Sequence, residues 1–383
     1  MSEIRKEPFA IRAGKVFSPT APIDERSLFA GRADQLRSLL KAISQKGQHA
    51  IVYGERGVGK TSLVNVLTKF MDQGVIAPRV NCDSTDNFDL VWRKLFEEIA
   101  FATGGRTTPD VPALISPEAV RRILTALSSH SLVIPIIDEF DRLNAGVKRQ
   151  VADTVKTLSD HAVAATVVLV GVADSVNELI EEHESVERAL IQIPMPRMST
   201  SEIEEIVQTG VTKLDMQIEP YALERIASLA RGLPTYAHLL GLKAAEIAND
   251  DDTTNITGAT ADKAITQALE GAQQSIRHSW HTATSSPRKD NLFSEVLVAC
   301  ALAQTDEMGF FAAQDVRDPL REILKRPIEI ANYSQHLAEF CDPKKGPVLQ
   351  RRGTARKYRF RFCNPLFQPY VVMKGYALHM ITD

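Results

Sequence analysis

Gly54-Glu55-Arg56-Gly57-Val58-Gly59-Lys60-Thr61-Ser62 is the stretch on which the reading of this chain turns. It follows an apolar run, His49-Ala50-Ile51-Val52-Tyr53, with the length and content of a short buried strand. It leads into Leu63-Val64-Asn65-Val66-Leu67, which carries a helical pattern. A glycine loop between a strand and a helix is the setting in which backbone amides gather a phosphate. Gly54, Gly57 and Gly59 lack a Cβ and reach positive φ at no steric cost. With Glu55, Arg56 and Val58 between them, successive N–H groups can turn toward one anion at a helix N-terminus. In this reading Lys60 reaches the β- and γ-phosphates, Thr61 offers a hydroxyl to Mg²⁺, and Ser62 adds a donor below the α-phosphate. An ordinary glycine turn is the alternative, and the strand-to-helix context argues against it.

A second stretch complements the first. Leu132-Val133-Ile134-Pro135-Ile136-Ile137 runs into Asp138-Glu139-Phe140-Asp141. A continuous apolar run predicts a parallel strand buried on both faces. Its acidic end places Asp138 beside the Mg²⁺ site built by Thr61, and Glu139 where it polarises an attacking water. A further strand, Ala165 to Val172, ends at Ala173-Asp174-Ser175. Polar groups at the carboxyl end of such a strand line the ligand crevice, so Asp174 or Ser175 is expected to sense the γ-phosphate, with helix capping as the alternative. Ala189 to Ile193 reads as another strand, preceded by Arg188 and followed by Arg197. Arg188 is a candidate finger for a neighbour's nucleotide in a homo-oligomer, against the plainer reading of a solvated surface arginine.

The chain of 383 residues is too long for one ordinary core, so two or three domains are expected. With 44% hydrophobic and 24% charged residues and a net charge of -3, the whole-chain charge argues neither for nor against nucleic acid, and only a local cluster could. Cys82, Cys300, Cys341 and Cys363 are scattered without metal-ligand spacing, as expected of reduced thiols in a cytoplasmic protein. The charged N-terminus and the lack of any long apolar run speak against secretion and membrane insertion.

Composition shifts divide the chain into an extended N-terminal arm at 1–27 carrying Pro8, Pro19 and Pro22, a phosphate-loop core at 28–198, a helical segment at 199–275, a linker at 276–291 and a C-terminal domain at 292–383. In the helical segment Ser199 with Glu202 fits a capping box, and Pro220 and Pro234 open helices. The C-terminal domain reads as three helices followed by two strands around Gly353-Thr354-Ala355, the order of a winged helix-turn-helix. Along its second strand Tyr358, Phe360 and Phe362 share one side, while Lys357, Arg359 and Arg361 share the other. Lys344, Lys345, Arg351, Arg352 and Arg356 add to the same region, and no acid falls between Lys344 and Arg361. Such a patch suits the phosphate backbone of duplex DNA, and a charge-protected strand edge is the alternative. The third helix carries Asn332, Ser334, Gln335 and His336 toward a major groove, but Glu329 and Glu339 suit it poorly to phosphate.

Together these motifs resemble AAA+ and STAND-type P-loop ATPases, in particular the branch of replication initiators of the origin-recognition type. The resemblance covers about Leu28 to Asn249, with a looser match in the C-terminal winged helix. Phe29-Ala30-Gly31-Arg32 is similar to the family's Gly-Arg box beside the adenine, Gly54 to Thr61 to Walker A, and Ile136 to Asp141 to Walker B in its Asp-Glu-x-Asp form. Gly232-Leu233-Pro234 looks like the Gly-x-Pro element of STAND lids, whose proline abuts the base. Thr235 and Tyr236 stand where initiators carry a sensor 2 arginine, which points to STAND-like switching. The resemblance implies an α/β fold with a five-stranded parallel core, an all-helical lid and a winged helix, with nucleotide between core and lid. It also implies ATP and Mg²⁺ as cofactors and hydrolysis of the γ-phosphate. The output is then duplex DNA, or a protein partner in STAND-like signalling or defence; a scaffold that binds ATP with little turnover is the third reading.

Overall fold

The computed structural model describes residues 7–22, 31–71, 75–106, 109–173, 176–180, 186, 188–286, 291–306, 308–354 and 357–381. Two compact units divide the chain: residues 22–55 with 59–196, and residues 1–21 with 56–58 and 197–383.

The first unit is built on five strands, β1 (His49–Gly54), β2 (Arg79–Asn81), β3 (Ile136–Asp138), β4 (Val168–Val172) and β5 (Leu190–Pro194). They pair in parallel in the order β2-β3-β4-β1-β5. A parallel sheet is covered on both faces, and β1, β3 and β4 accordingly bury almost every residue. Helices Ala33–Ile43, Lys60–Phe70, Phe88–Ala102, Pro117–Ser128 and Ala145–Asp160 accompany the sheet. Three of them start on side-chain caps: Asn87 accepts from Leu90 N, Ser116 from Ala119 N and Asn144 from Val147 N. The strand expected over Leu132 to Ile137 is two pieces. Leu132–Val133 pairs with Val75–Ile76 in a small sheet of its own, and only Ile136–Asp138 enters the main sheet. Pro78 and Pro135 interrupt both ladders because neither has an N–H to give. Their carbonyls still accept, from Ile136 N at 2.8 Å and Val168 N at 2.9 Å.

In the second unit, helices Thr200–Lys213, Pro220–Ala230, Pro234–Asp250 and Gly258–Glu270 follow the expected punctuation. Ser199 and Glu202 cap each other reciprocally, and Pro220 and Pro234 stand in first turns. Two expectations fail here. The N-terminal arm is not extended throughout: Phe9–Val16 is helical, and Phe17 after it is fully buried. Its ring fills a slot that glycine makes, since a Cβ added to Gly210 would lie 2.3 Å from the ring and one on Gly241 2.6 Å. An eight-residue helix spans only about two turns, too few to establish a period, and the slot is invisible along the chain. The segment from 276 is likewise no linker at its start, because Gln274–Thr284 is helical and buries Ile276, Trp280 and Ala283 on one face. Residues 287–290 of that linker lie outside the described residues.

Helices Phe293–Leu302, Arg317–Leu324 and Ile330–Glu339 follow. An antiparallel sheet then sets Arg359–Phe362 between Leu349–Arg352 and Phe311–Ala312, and helix Phe367–Ala377 closes the unit. Gly353 turns the ribbon at φ +94°, where an added Cβ would meet Lys357 O at 2.6 Å. Among the described residues, no helix is long and apolar enough to cross a membrane.

Candidate functional site

The site begins where β1 ends. Met195 N donates to Tyr53 O at 2.7 Å, and Gly54 then turns away at φ +152°, with room for no Cβ because Met195 O would be 2.4 Å from it. Gly57 and Gly59 adopt φ +86° and +92°, and Gly59 is the N-cap residue of helix Lys60–Phe70. Glu55 and Val58 are buried and Arg56 is exposed. The Lys60 ammonium folds back over the loop, donating to Gly54 O at 3.0 Å and Glu55 O at 2.7 Å. Ser62 sits in the first turn of the same helix.

Thr61 Oγ1 donates to Asp138 Oδ2 at 3.0 Å, bridging 77 positions of sequence. Asp138 Oδ1 accepts from the Glu139 amide at 2.8 Å. A buried carboxylate needs a compensating charge as well as hydrogen bonds, and here it comes from Arg79 at the start of β2, 2.6 Å from Oδ2. No motif announced Arg79; its only sequence signal is an arginine opening a three-residue strand directly after Pro78. Glu139 adopts φ +55° and turns its side chain out, 51% exposed and paired with Arg142 at 2.8 Å. Asp141, the last acid of the motif, accepts from Val172 N at 2.8 Å and so ties the acidic loop to the end of β4. Gly31 and Arg32 are both at positive φ, and the buried Arg32 guanidinium donates to Pro196 O just past β5. Phe29, Ala30, Asp174 and Ser175 lie outside the described residues.

Arg188 is exposed and precedes β5, whose first residue is level with His49 at the start of β1. The strands are parallel, so Arg188 stands at their amino-terminal ends, whereas Gly54 stands at the carboxyl-terminal end of β1, and Arg188 does not join this chain's own site. In the other unit Pro234 opens its helix after Gly232 at φ +75°. The neighbouring Arg231 is buried and donates to Leu302 O at 3.4 Å and Ala303 O at 3.2 Å. Burial, and then Arg197, push its pKa down to about 10.

The basic ribbon differs from its sequence reading. Phe360 and Phe362 are buried, but several cations of the region are occupied. Arg359 pairs with Asp306 at 3.1 Å and donates to Phe310 O at 3.0 Å. Arg361 donates to Met308 O at 3.2 Å with its guanidinium 4.5 Å from the Phe310 ring centre. Arg352 lies 5.4 Å from the same ring and Arg351 4.8 Å from that of Tyr358. Lys345 sits 3.7 Å from the Phe293 ring centre. Arg351, Arg352 and Lys357 are exposed; Arg356 is outside the described residues. On the third helix Asn332 caps Glu329 N at 2.9 Å, Gln335 bonds Glu339 at 3.0 Å, and His336 rests edge-on against Phe293, its pKa lowered by burial.

The model of the novel STAND NTPase 1 family matches residues 22–326. No curated protein matches the chain. The structure of the Aeropyrum pernix ORC2 protein, in ADPNP–ADP complexes, is 16% identical over 95% of this chain and 98% of its own, with a TM-score of 0.52. A Walker-type ATPase of Pyrococcus abyssi is 14% identical over 93% of this chain and 99% of its own, with a TM-score of 0.55. At such identities the likeness is one of fold.

Proposed function

The chain belongs to the novel STAND NTPase 1 family and has the parallel-sheet core of origin-recognition-type P-loop ATPases, and from that premise we propose that it is a cytoplasmic switch that binds and hydrolyses Mg²⁺·ATP. The observation that carries this reading is the 3.0 Å bond between Thr61 and Asp138, which joins the glycine loop's hydroxyl to the acid at the end of β3. Both are hard oxygen donors, as Mg²⁺ requires. When bound, Mg²⁺ would neutralise charge on the β- and γ-phosphates.

The chain's own residues do the rest. Amides from Gly54 to Thr61 bind the phosphates, and Lys60 exchanges the carbonyls of Gly54 and Glu55 for β- and γ-oxygens. Glu139 leaves Arg142 to accept a hydrogen bond from the attacking water and orient it at the γ-phosphorus. Gly31 and Arg32, anchored to Pro196, and Pro234 belong to the nucleotide's surroundings, Asp174 to γ-phosphate sensing, and Arg188 to a neighbouring copy's site in a homo-oligomer. The divisions at 28–198, 199–275 and 292–383 act as ATPase core, lid and winged helix, and nucleotide state is passed to duplex DNA held by Arg351, Arg352, Arg356, Lys357, Arg359 and Arg361. The engagement of Arg359 and Arg361 within the chain favours a second output, in which the C-terminal region contacts a protein partner. Phosphate release from the parent and a Glu139→Gln variant, with and without duplex DNA, tests the central reading. The variant should bind ATP yet turn it over about 100-fold more slowly, and equal release from both would overturn hydrolysis by this site.

A further inference from the structure

Arg79 enters the site from β2, the edge strand of the sheet. Its Nη2 donates to Asp138 Oδ2 at 2.6 Å and its Nη1 to Asn65 Oδ1 at 2.5 Å, so the guanidinium is strapped between the acidic strand and the loop helix. Asp138 Oδ2 is also the oxygen that accepts from Thr61. The carboxylate is 5% exposed, and the Arg79 guanidinium is in direct ion-pair contact with it. A second cation drawn to the same oxygen meets that guanidinium at close range, where like charges repel strongly outside bulk water.

We propose that Arg79 is the resident counter-ion of Asp138, a positioning residue that holds the carboxylate while no metal is present and that the metal must move aside on entry. This inference rests on the Mg²⁺-nucleotide reading above. Arg79 is 28% exposed and lies at the sheet edge, so the guanidinium has a route toward solvent while Asn65 remains its pivot. Metal affinity is thereby set below what Thr61 and Asp138 would give alone, and arrival of the metal becomes a local switch of one side chain.

The test is Mn²⁺ binding, followed by electron paramagnetic resonance, to the full chain with saturating ADP. Arg79→Met should bind Mn²⁺ about tenfold more tightly than the parent, because the competing charge is gone. Arg79→Lys, which keeps that charge, should stay within about threefold of the parent, and Asn65→Ala, which loosens the strap, should fall between the two. Without ligand, Arg79→Met should also melt lower than the parent, since a buried carboxylate loses its partner, and it should gain more in melting temperature on addition of Mn²⁺ and ADP. Equal or weaker Mn²⁺ binding by Arg79→Met overturns the inference; if that variant does not fold, the Asn65→Ala and Arg79→Lys comparison decides in the same way. ADP binding in EDTA separates the two levels. A parent that binds no ADP either in EDTA or with Mg²⁺ present sinks the nucleotide reading, whereas normal ADP binding with unchanged Mn²⁺ affinity in the variants sinks only the role of Arg79.

Discussion

The glycine loop and the basic ribbon both read in the sequence as charge awaiting a phosphate, and the structure treats them in opposite ways. At the loop, groups far apart in the chain converge: Lys60 and Thr61 open one helix, Asp138 ends β3, and Arg79 opens β2. In the ribbon, cations that crowd together in sequence are dispersed among local partners, Arg359 to Asp306 and Arg361 to the backbone and ring of the 308–310 turn. The sequence interval from Lys344 to Arg361 has no acid, but Asp306 arrives from the turn before the first strand of that sheet. Density of charge along a chain therefore says less about a phosphate site than convergence of unlike groups on one point. Cation–π and ion-pair contacts at an exposed strand stabilise by well under a few kcal/mol, yet they fix where each guanidinium points.

The comparison can be broken most directly at Lys60. Lys60→Ala should weaken ATP binding about 100-fold or more in an equilibrium titration with a fluorescent analogue, because a desolvated charge facing the phosphates is lost. Undiminished binding would mean that the convergence at the loop does not serve a nucleotide. A smaller effect is expected in the ribbon. Replacing Arg351, Arg352, Arg359 and Arg361 together with Ala should lower duplex affinity about tenfold at low salt and flatten its salt dependence while leaving ATP binding intact. Salt-insensitive retention of DNA by the variant would end the DNA reading. The smallest effect sharpens the contrast: Asp306→Asn frees Arg359 without adding a cation and should raise duplex affinity about threefold, measured by anisotropy at fixed salt. No gain would mean that Arg359 does not face the duplex.

Legibility followed the range of the interaction. The loop, its flanking strand and helix, the Ser199–Glu202 box and the helix-opening Pro220 and Pro234 were all readable, because each depends on backbone geometry within a few residues. The third strand of the C-terminal sheet, two residues at Phe311–Ala312, and the two-turn helix Phe9–Val16 were both too short to carry a period. The site itself was half legible. Thr61 and Asp138 were paired from chemistry, whereas Arg79 and the tie from Asp141 to Val172 left no pattern.

The amino-acid sequence by itself determined that a glycine loop follows a buried strand, that an acid pair ends another, and that helices start at their caps. These are consequences of which φ values, hydrogen bonds and burial a residue tolerates beside its neighbours. Only the tertiary structure decided that β4 lies between β1 and β3, that β2 takes the edge, and hence that Arg79 answers Asp138 while Arg188 stands at the far end of the sheet. Strand order sets which distant side chains share a few ångströms, and in a buried site those few ångströms decide whether a charge is compensated.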